Sequence, residues 1–486
     1  MKKHTCLFMA LLLLCMCAFV PALGESTDQI PEPTLSPEAE KYDETHPENL
    51  AQNQLYALSA ILMAEDTGEV IFEKDPDEVR YPASVTKILT VLIGISMVED
   101  LNEKVTVSER AVNVPSDSST MHLQAGEEIP FIDVLYGTML VSGNDGANVI
   151  AETVSGSIED FVVLMNQWAS NMGCSSTHFA NPHGYHDPNH YSTARDLALI
   201  TRSAMQNDTF RMIASTTTYN IARTNKQRAR TITTKSSWML EGSADNPNKY
   251  YFPYATGVKT GSHSQSGYCF AGAAEKEGVR LISVVLFTGN RARWADTIKL
   301  MNYGFSQYVS LTPLQIYQMN PIRRETNNFS TDDTDLGKLW LTCVPADASR
   351  SVRITTTKTR AEQMASNLNE TFDIQYTRDL VCPISAGEQI GTMTYYPEQG
   401  GDPVEYYLIA SRSIDRRSNA PKSLEQIIRE TYEDPNPLPR FSLALLMFFI
   451  SPLLVILVLA GIIIIIRRRR RANRMRIPKP AGRYVK

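Results

Sequence analysis

"PASVTKILT", residues 82–90, leads into a stretch from Val85 to Val98 (VTKILTVLIGISMV) whose only charge is Lys87. A run this apolar predicts a helix buried nearly all round. An ammonium in that setting is costly unless it is paired, neutral or lining a cleft. Ser84 lies three places before Lys87, and side chains three apart share one face of a helix. A serine hydroxyl becomes a nucleophile once a base takes its proton. A lysine whose pKa is lowered by burial or by a neighbouring cation is such a base. Taken alone, the pair is better read as a helix-capping serine and a lysine whose stem is buried and whose head snorkels.

Outward from this pair, two further signatures follow in order. Ser84 begins the only S-x-x-K of the chain, Ser142-Gly143-Asn144 is its only S-x-N, and Lys259-Thr260-Gly261 its only K-T-G. Such a set, in this order, accompanies serine acyl transfer. "MLVSGNDGANVIAE" places the second motif in a tight glycine-containing turn between helices, so that Ser142 and Asn144 point into a cleft. "GVKTGSHSQSGYCFAG" places the third on a strand that ends in a turn. An edge strand there pairs with an extended peptide through main-chain bonds. Lys259 adds a cation beside Lys87, Thr260 a hydroxyl for a carboxylate, and Gly261 a bare stretch of backbone for substrate to approach.

The surrounding pattern is α/β. "ALSAILMAEDTGEVIFEKD" reads as two strands joined at Asp66-Thr67-Gly68, with helices expected at 84–98, 130–141, 145–154, 158–172 and 193–206. Strands on either side of a turn at Glu275 to Gly278 follow, then a helix over 292–305. Strands at both ends with helices between predict an antiparallel sheet flanked by helices over residues 51–311. Beyond 312, short β-type runs such as "KLWLTCVP" and "EYYLIAS" predict a small all-β domain over 312–412.

The two ends differ in kind. Residues 1–24 have the basic start, apolar core and small residues of a secretory signal, and 25–50 are an acidic, Pro-rich stretch read as a disordered spacer. Residues 413–440 form a linker with a short helix, and Phe441 to Ile466 are uncharged and mostly apolar. At about 1.5 Å per residue that run is roughly 39 Å long, enough for one transmembrane helix. The tail 467–486 carries ten cations and no acid, which puts it in the cytoplasm and the body outside, tethered by the C-terminal helix. Of the net charge of -6, the tail holds +10 and the signal +2, which leaves -18 for residues 25–440. A body so acidic excludes nucleic acid as a partner. Cys174, Cys269, Cys343 and Cys382 have no metal-site spacing; disulfides and free buried thiols remain equal readings.

The chain resembles the serine-type D-alanyl-D-alanine carboxypeptidases, the low-molecular-mass penicillin-binding proteins of peptidase family S11. The resemblance spans about residues 50–412 and includes "FANPHGYHDPNHYSTARDLALI" (179–200) and "CPISAGEQIGTM" (382–393) besides the three motifs. It implies a penicillin-binding-protein/β-lactamase-like catalytic domain that removes the terminal D-alanine from peptidoglycan stem pentapeptides, and β-lactams as covalent inhibitors. Ser84 would be the acylated nucleophile, Lys87 its base, and Ser142 a proton relay. Asn144 would bind the substrate amide; Lys259 and Thr260 would hold the terminal carboxylate. The backbone N–H groups of Ser84 and Ser262 would form the oxyanion hole. Arg293 matches a family arginine near the carboxylate pocket and fits equally a surface helix residue. No metal or organic cofactor is implied.

Two departures stand out. Ser262 replaces a histidine or tyrosine common in relatives, and the segment before K-T-G lacks the usual N-x-N-x-L-L pattern. His183 and His186 fit a structural loop, Arg195 and Asp196 a helix start that holds this loop by ion pairs, and Cys269 core packing. A β-lactamase is disfavoured by S-G-N in place of S-D-N and by the missing E-x-x-L-N. The pattern also admits a DD-endopeptidase or transpeptidase, while the intact motif set argues against a non-catalytic cell-wall-binding protein on the same fold.

Overall fold

The computed structural model describes residues 41–397, 401–418 and 459–468. The expected signal, residues 25–40 of the spacer, residues 419–440 of the linker and residues 441–458 of the apolar run lie outside them. Residues 459–468 are helical, and among the described residues no helix is long and apolar enough to cross a membrane. By compactness the chain divides into two units, the larger comprising residues up to Thr326 with Lys338–Leu380 and Ile384–Ser413.

The larger unit is built on a five-stranded antiparallel sheet. Strands β1 (Ser59–Ala64) and β2 (Val70–Lys74) form the expected hairpin. Helices α1 (Lys87–Met97), α2 (Phe131–Leu140), α3 (Asn144–Ser155), α4 (Ile158–Asn171), α5 (Ala194–Met205) and α6 (Asp208–Ser215) follow. The chain then returns as β3 (Ala255–His263), β4 (Gly267–Lys276) and β5 (Val279–Thr288), and closes with α7 (Ala292–Gln307). The strand order is β2-β1-β5-β4-β3, so β3 lies at an edge.

Successive residues of a strand face opposite sides, and β1 shows what that does here. Ile61 and Met63 join the core beneath the helices, whereas Ala60 and Leu62 join a second core with Leu300 and Met301 of α7. Strand β1 is therefore buried on both faces, which explains its unbroken apolar run. Each large aliphatic side chain buried this way stabilises the fold by about 1.5–3 kcal/mol.

The acidic N-terminal stretch is ordered further back than its composition suggests. Pro47–Asn49 form a 3-10 turn, Leu50 is buried, and Tyr42 packs against the same core as α7. Two apolar anchors suffice where composition alone predicted disorder.

Beyond α7 come β6 (Tyr308–Leu311), α8 (Pro313–Met319), β7 (Arg323–Glu325), β8 (Lys338–Pro345), β9 (Ile354–Thr357), α9 (Lys358–Ser366), β10 (Asp373–Tyr376), β11 (Gln389–Tyr395) and β12 (Val404–Ala410). The second sheet runs β7-β8-β12-β11-β10. Its edge strands meet where Nε and Nη2 of Arg324 donate to Tyr376 Oη at 2.9 and 2.7 Å. The all-β expectation needs correction, because this segment contains helices. Thr357 caps α9 by accepting from the Arg360 amide, and the polar sequence KTRAEQMAS has good helix formers but no β-type alternation. The passage from one sheet to the other is stitched rather than linked. Strand β6 pairs with β9, and Thr355 Oγ1 donates to Asp66 Oδ2 at 2.9 Å.

The smaller unit comprises Asn327–Gly337, Val381–Pro383 and the residues from Ile414 onward. Bridges between Asn327 and Val381 and between Phe329 and Arg416 join its segments 327–337, 381–383 and 414–418.

Candidate functional site

Ser84 sits in a 3-10 turn, Ala83–Thr86, that runs directly into α1. Ala83 has φ +48°, in the left-handed region that alanine rarely adopts. Two glycines press on this turn from opposite directions. A Cβ on Gly261 would lie 2.7 Å from the Pro82 carbonyl oxygen and 3.2 Å from the Ser84 amide nitrogen. A Cβ on Gly184 would lie 1.9 Å from the Ala83 carbonyl oxygen. The glycine of K-T-G thus seats strand β3 against the Ser84 turn. That contact also brings the amides of Ser84 and Ser262 into one neighbourhood.

Lys87 is fully buried, and its Nζ has three partners: Ser84 Oγ at 2.9 Å, Asn144 Oδ1 at 2.7 Å and the His183 carbonyl at 2.6 Å. Burial first, then the charges of Lys259 and Lys235, push this amine well below the ordinary lysine pKa; Asp145 opposes them. A neutral amine has two N–H donors and one lone pair. Carbonyl oxygens only accept, so the donors go to Asn144 and His183. The lone pair is left facing the Ser84 hydroxyl, as general-base chemistry requires.

Both carbonyls are themselves held. Asn144 opens α3, its Nδ2 donates to Ser118 Oγ at 3.0 Å, and its backbone N–H to the Ser119 carbonyl at 2.8 Å. The His183 carbonyl is presented by a turn in which Asn181 Oδ1 accepts from the Gly184 amide at 2.7 Å and Asn181 Nδ2 donates to the Tyr185 carbonyl at 2.9 Å. His183 therefore serves the site through its main chain. Its ring Nδ1 accepts from the Tyr185 amide at 3.1 Å, which fits the structural role expected of it. Among the described residues no cluster of metal-binding side chains occurs.

Ser142 occupies the turn between α2 and α3, buried, with φ +65°. Next to Asn144, the buried Asp145 fixes this turn by accepting from the Met121 and Leu123 amides, both at 2.9 Å.

On edge strand β3, Lys259 and Gly261 share a face, which turns Lys259 toward the nucleophile side. Lys259 is buried and donates to the Thr260 carbonyl at 3.1 Å. Burial, followed by the charges of Lys235 and Arg293, lowers its amine to about 7. Arg293, left open between two readings, lies in the first turn of α7. Its guanidinium stacks over Tyr268 at 5.0 Å and Trp294 at 4.6 Å, donates to Asn290 Oδ1 at 3.2 Å, and has a buried Nε without a partner. It is half-buried, and its charge is among those that lower the Lys259 amine.

Sequence reasoning passed over several participants. His190 is buried, and its Nδ1 accepts from the Ala180 amide at 3.1 Å, so Nε2–H donates to Thr86 Oγ1 at 2.8 Å. Thr86 in turn donates to the Ala83 carbonyl at 2.8 Å. Burial, with charged neighbours, lowers the His190 pKa to about 3, so the ring stays neutral and keeps this relay directed at the nucleophile turn. Ser118, Ser119 and Lys235 form the wall behind Asn144. No motif marks any of these residues. Arg195 and Asp196 do start helix α5, but their partners differ from those expected. Arg195 pairs with Asp77 (2.7 Å) and Glu73 (2.9 Å), and Asp196 Oδ2 accepts from the Ser176 amide (2.9 Å) and Thr177 Oγ1 (2.7 Å). Among the described residues Cys174, Cys269, Cys343 and Cys382 are buried thiols outside any disulfide.

Comparison with known proteins shows the family. The family model described as D-alanyl-D-alanine carboxypeptidase, peptidase S11, matches residues 45–290. The D-alanyl-D-alanine carboxypeptidase DacF of Bacillus subtilis is 30% identical over 344 residues, covering 69% of this chain and 80% of that protein. The D-alanyl-D-alanine carboxypeptidase of Streptomyces sp. strain K15 is 35% identical over 262 residues, covering 51% of this chain and 87% of that protein. Among solved structures, the Streptomyces K15 DD-transpeptidase superposes with a TM-score of 0.48 at 32% identity, over 52% of this chain and 98% of that one.

Proposed function

Because the chain belongs to peptidase family S11, the D-alanyl-D-alanine carboxypeptidases, we propose that it removes the terminal D-alanine from peptidoglycan stem pentapeptides through an acyl-enzyme on Ser84. The observation that carries this reading is the partner set of Lys87: two carbonyl oxygens that only accept, and the Ser84 hydroxyl.

In the acylation step Ser84 Oγ attacks the penultimate D-alanine carbonyl as Lys87 Nζ takes its proton. Negative charge develops on the carbonyl oxygen, where the Ser84 and Ser262 amides serve as the oxyanion hole. The C–N bond breaks, and the leaving D-alanine amine takes up a proton, with Ser142 as the relay. Water then attacks the ester carbonyl, Lys87 again accepts a proton, and Ser84 leaves as the free hydroxyl. Lys259, Thr260 and Arg293 hold the terminal carboxylate, and edge strand β3 pairs with the peptide.

β-Lactams acylate the same serine. Among the described residues, the hydrogen-bond partners of Ser84 and Lys87 include no carboxylate to activate a deacylating water, which favours a long-lived adduct over a β-lactamase cycle. The uncharged run 441–466 followed by Arg467 to Arg471 supports a single-pass anchor with the catalytic body outside the bacterial plasma membrane and the tail in the cytoplasm.

Ser84→Ala tests the reading. It is expected to fold, yet to release no D-alanine from a defined pentapeptide and to take no label from a fluorescent penicillin. Retained D-alanine release by that variant refutes the assignment.

A further inference from the structure

The segment between the 230–233 strand and the K-T-G strand departs from the pattern common in relatives, and Lys235 lies within it. Its backbone N–H donates to the Leu140 carbonyl at 3.1 Å, two residues before Ser142. Its Nζ donates to Ser119 Oγ at 2.8 Å, and the Ser119 carbonyl accepts from the Asn144 amide. Lys235 thus brackets the Ser142–Asn144 turn from both sides, while the residue itself remains exposed.

Lys87, Lys259, Arg293 and Lys235 bring four basic side chains to one site in a body that is otherwise strongly acidic. Among the described residues none of the four has an ion-pair partner. Asp145, the acid that opposes Lys87, has its oxygens engaged by the Met121, Leu123 and Gly146 amides. Lys87 is committed as a base. Lys259 spends one donor on a main-chain carbonyl, and Arg293 keeps a buried, unpartnered Nε. The ammonium of Lys235 has three donors, and its recorded partner is a neutral hydroxyl. Its charge is also one of the neighbours acting on both Lys87 and Lys259.

We propose that Lys235 is a substrate-binding residue of this site, a third cation that joins Lys259 and Arg293 in receiving the C-terminal carboxylate, from the side of the Ser142–Asn144 turn. The assignment rests on the carboxypeptidase reading and narrows it: substrates must end in a free carboxylate, and Lys235 supplies part of that demand. A lysine suits the place because its flexible stem lets the ammonium turn from Ser119 to the incoming carboxylate without moving the backbone.

The test uses the full-length protein and two peptides that differ only at the end, one with a D-Ala-D-Ala carboxylate and the other with the C-terminal amide. Native protein is expected to prefer the acid. Lys235→Met is expected to raise KM for the acid by about tenfold or more, the range for a lost charge-assisted hydrogen bond, with kcat changed far less and kcat/KM for the amide nearly unmoved. Lys235→Arg is expected to restore most of the preference. A merely structural lysine would depress both peptides alike. Should Lys235→Met not fold, Lys235→Gln and Lys235→Arg give the same comparison. An acid-to-amide ratio equal in native and Lys235→Met protein overturns the assignment of Lys235, as does an arginine variant no better than methionine. A native protein that cleaves neither peptide, releasing neither D-alanine from the acid nor D-alaninamide from the amide, overturns instead the functional reading beneath it.

Discussion

Lys259→Met should stabilise the protein at neutral pH while disabling it. The buried amine has its pKa lowered from 10.5 to about 7, chiefly by burial. The folded state therefore binds this proton more weakly than the unfolded chain does. The destabilisation is fully present below about pH 7 and fades as pH rises toward 10.5. A shift of about 3.5 units corresponds to roughly 4–5 kcal/mol at low pH, and to about 4 kcal/mol at pH 7. Methionine replaces the side chain at similar volume, and the lost bond to the Thr260 carbonyl costs about 1 kcal/mol. The net gain expected at pH 7 is thus about 3 kcal/mol. The native protein should recover about 2 kcal/mol of this difference between pH 7 and pH 9. Urea unfolding followed by tryptophan fluorescence at both pH values, on native and variant protein, measures the quantity directly. A variant less stable at pH 7, or a native-minus-variant difference that does not change with pH, would refute the reasoning. Either result would mean that Lys259 is solvated or paired in the free protein.

Three further outcomes follow from the same geometry. His190→Phe leaves the Ala180 amide and the Thr86 hydroxyl short of a partner, so we expect about 1–3 kcal/mol less stability by thermal unfolding and slower penicillin acylation; unchanged acylation would remove His190 from the support of Ser84. Lys87→Arg keeps a cation that does not lose its proton, so no fluorescent penicillin should be incorporated anywhere between about pH 5 and 9, whereas recovery of labelling at alkaline pH would mean that Lys87 is not the base. The thiols of Cys174, Cys269, Cys343 and Cys382 should all alkylate in denaturant without prior reduction, and none should react in the native state; a requirement for reductant would show a disulfide.

Residue order alone reveals the part of the site whose chemistry needs particular side chains at fixed spacing. Ser84 and Lys87, Ser142 and Asn144, and the K-T-G strand are each local, and their surroundings in sequence suffice to place each on its helix, turn or strand. The unbroken apolar run of β1 and the helical spans from 87 to 205 are legible for the same reason: they depend on neighbours in sequence. What escapes depends on neighbours in space. His190 reaches Thr86 across 104 residues, Lys235 reaches Ser119 across 116, and the His183 carbonyl reaches Lys87 across 96. A main-chain carbonyl leaves no trace in residue identity. The helix α9 is hidden inside a segment expected to be all-β because short strands on either side dominate the pattern. Arg195 is correctly assigned to ion pairing but with the wrong partners, since charge says that a pair forms and not where.

The pinch of two bare α-carbons on the Ser84 turn bears on how such a protein evades a drug. Neither Gly184 nor Gly261 leaves room for even one methyl, and each abuts main chain, which has no rotamer with which to yield. The floor of the catalytic hollow is in this sense closed to mutational tinkering. Escape from an acylating antibiotic has to be sought around the mouth instead, where Tyr185 donates to Asp117 at 3.0 Å and the rings of His186 and His263 stack 5.4 Å apart. Resistance selected in the laboratory should therefore map to that outer ring of side chains.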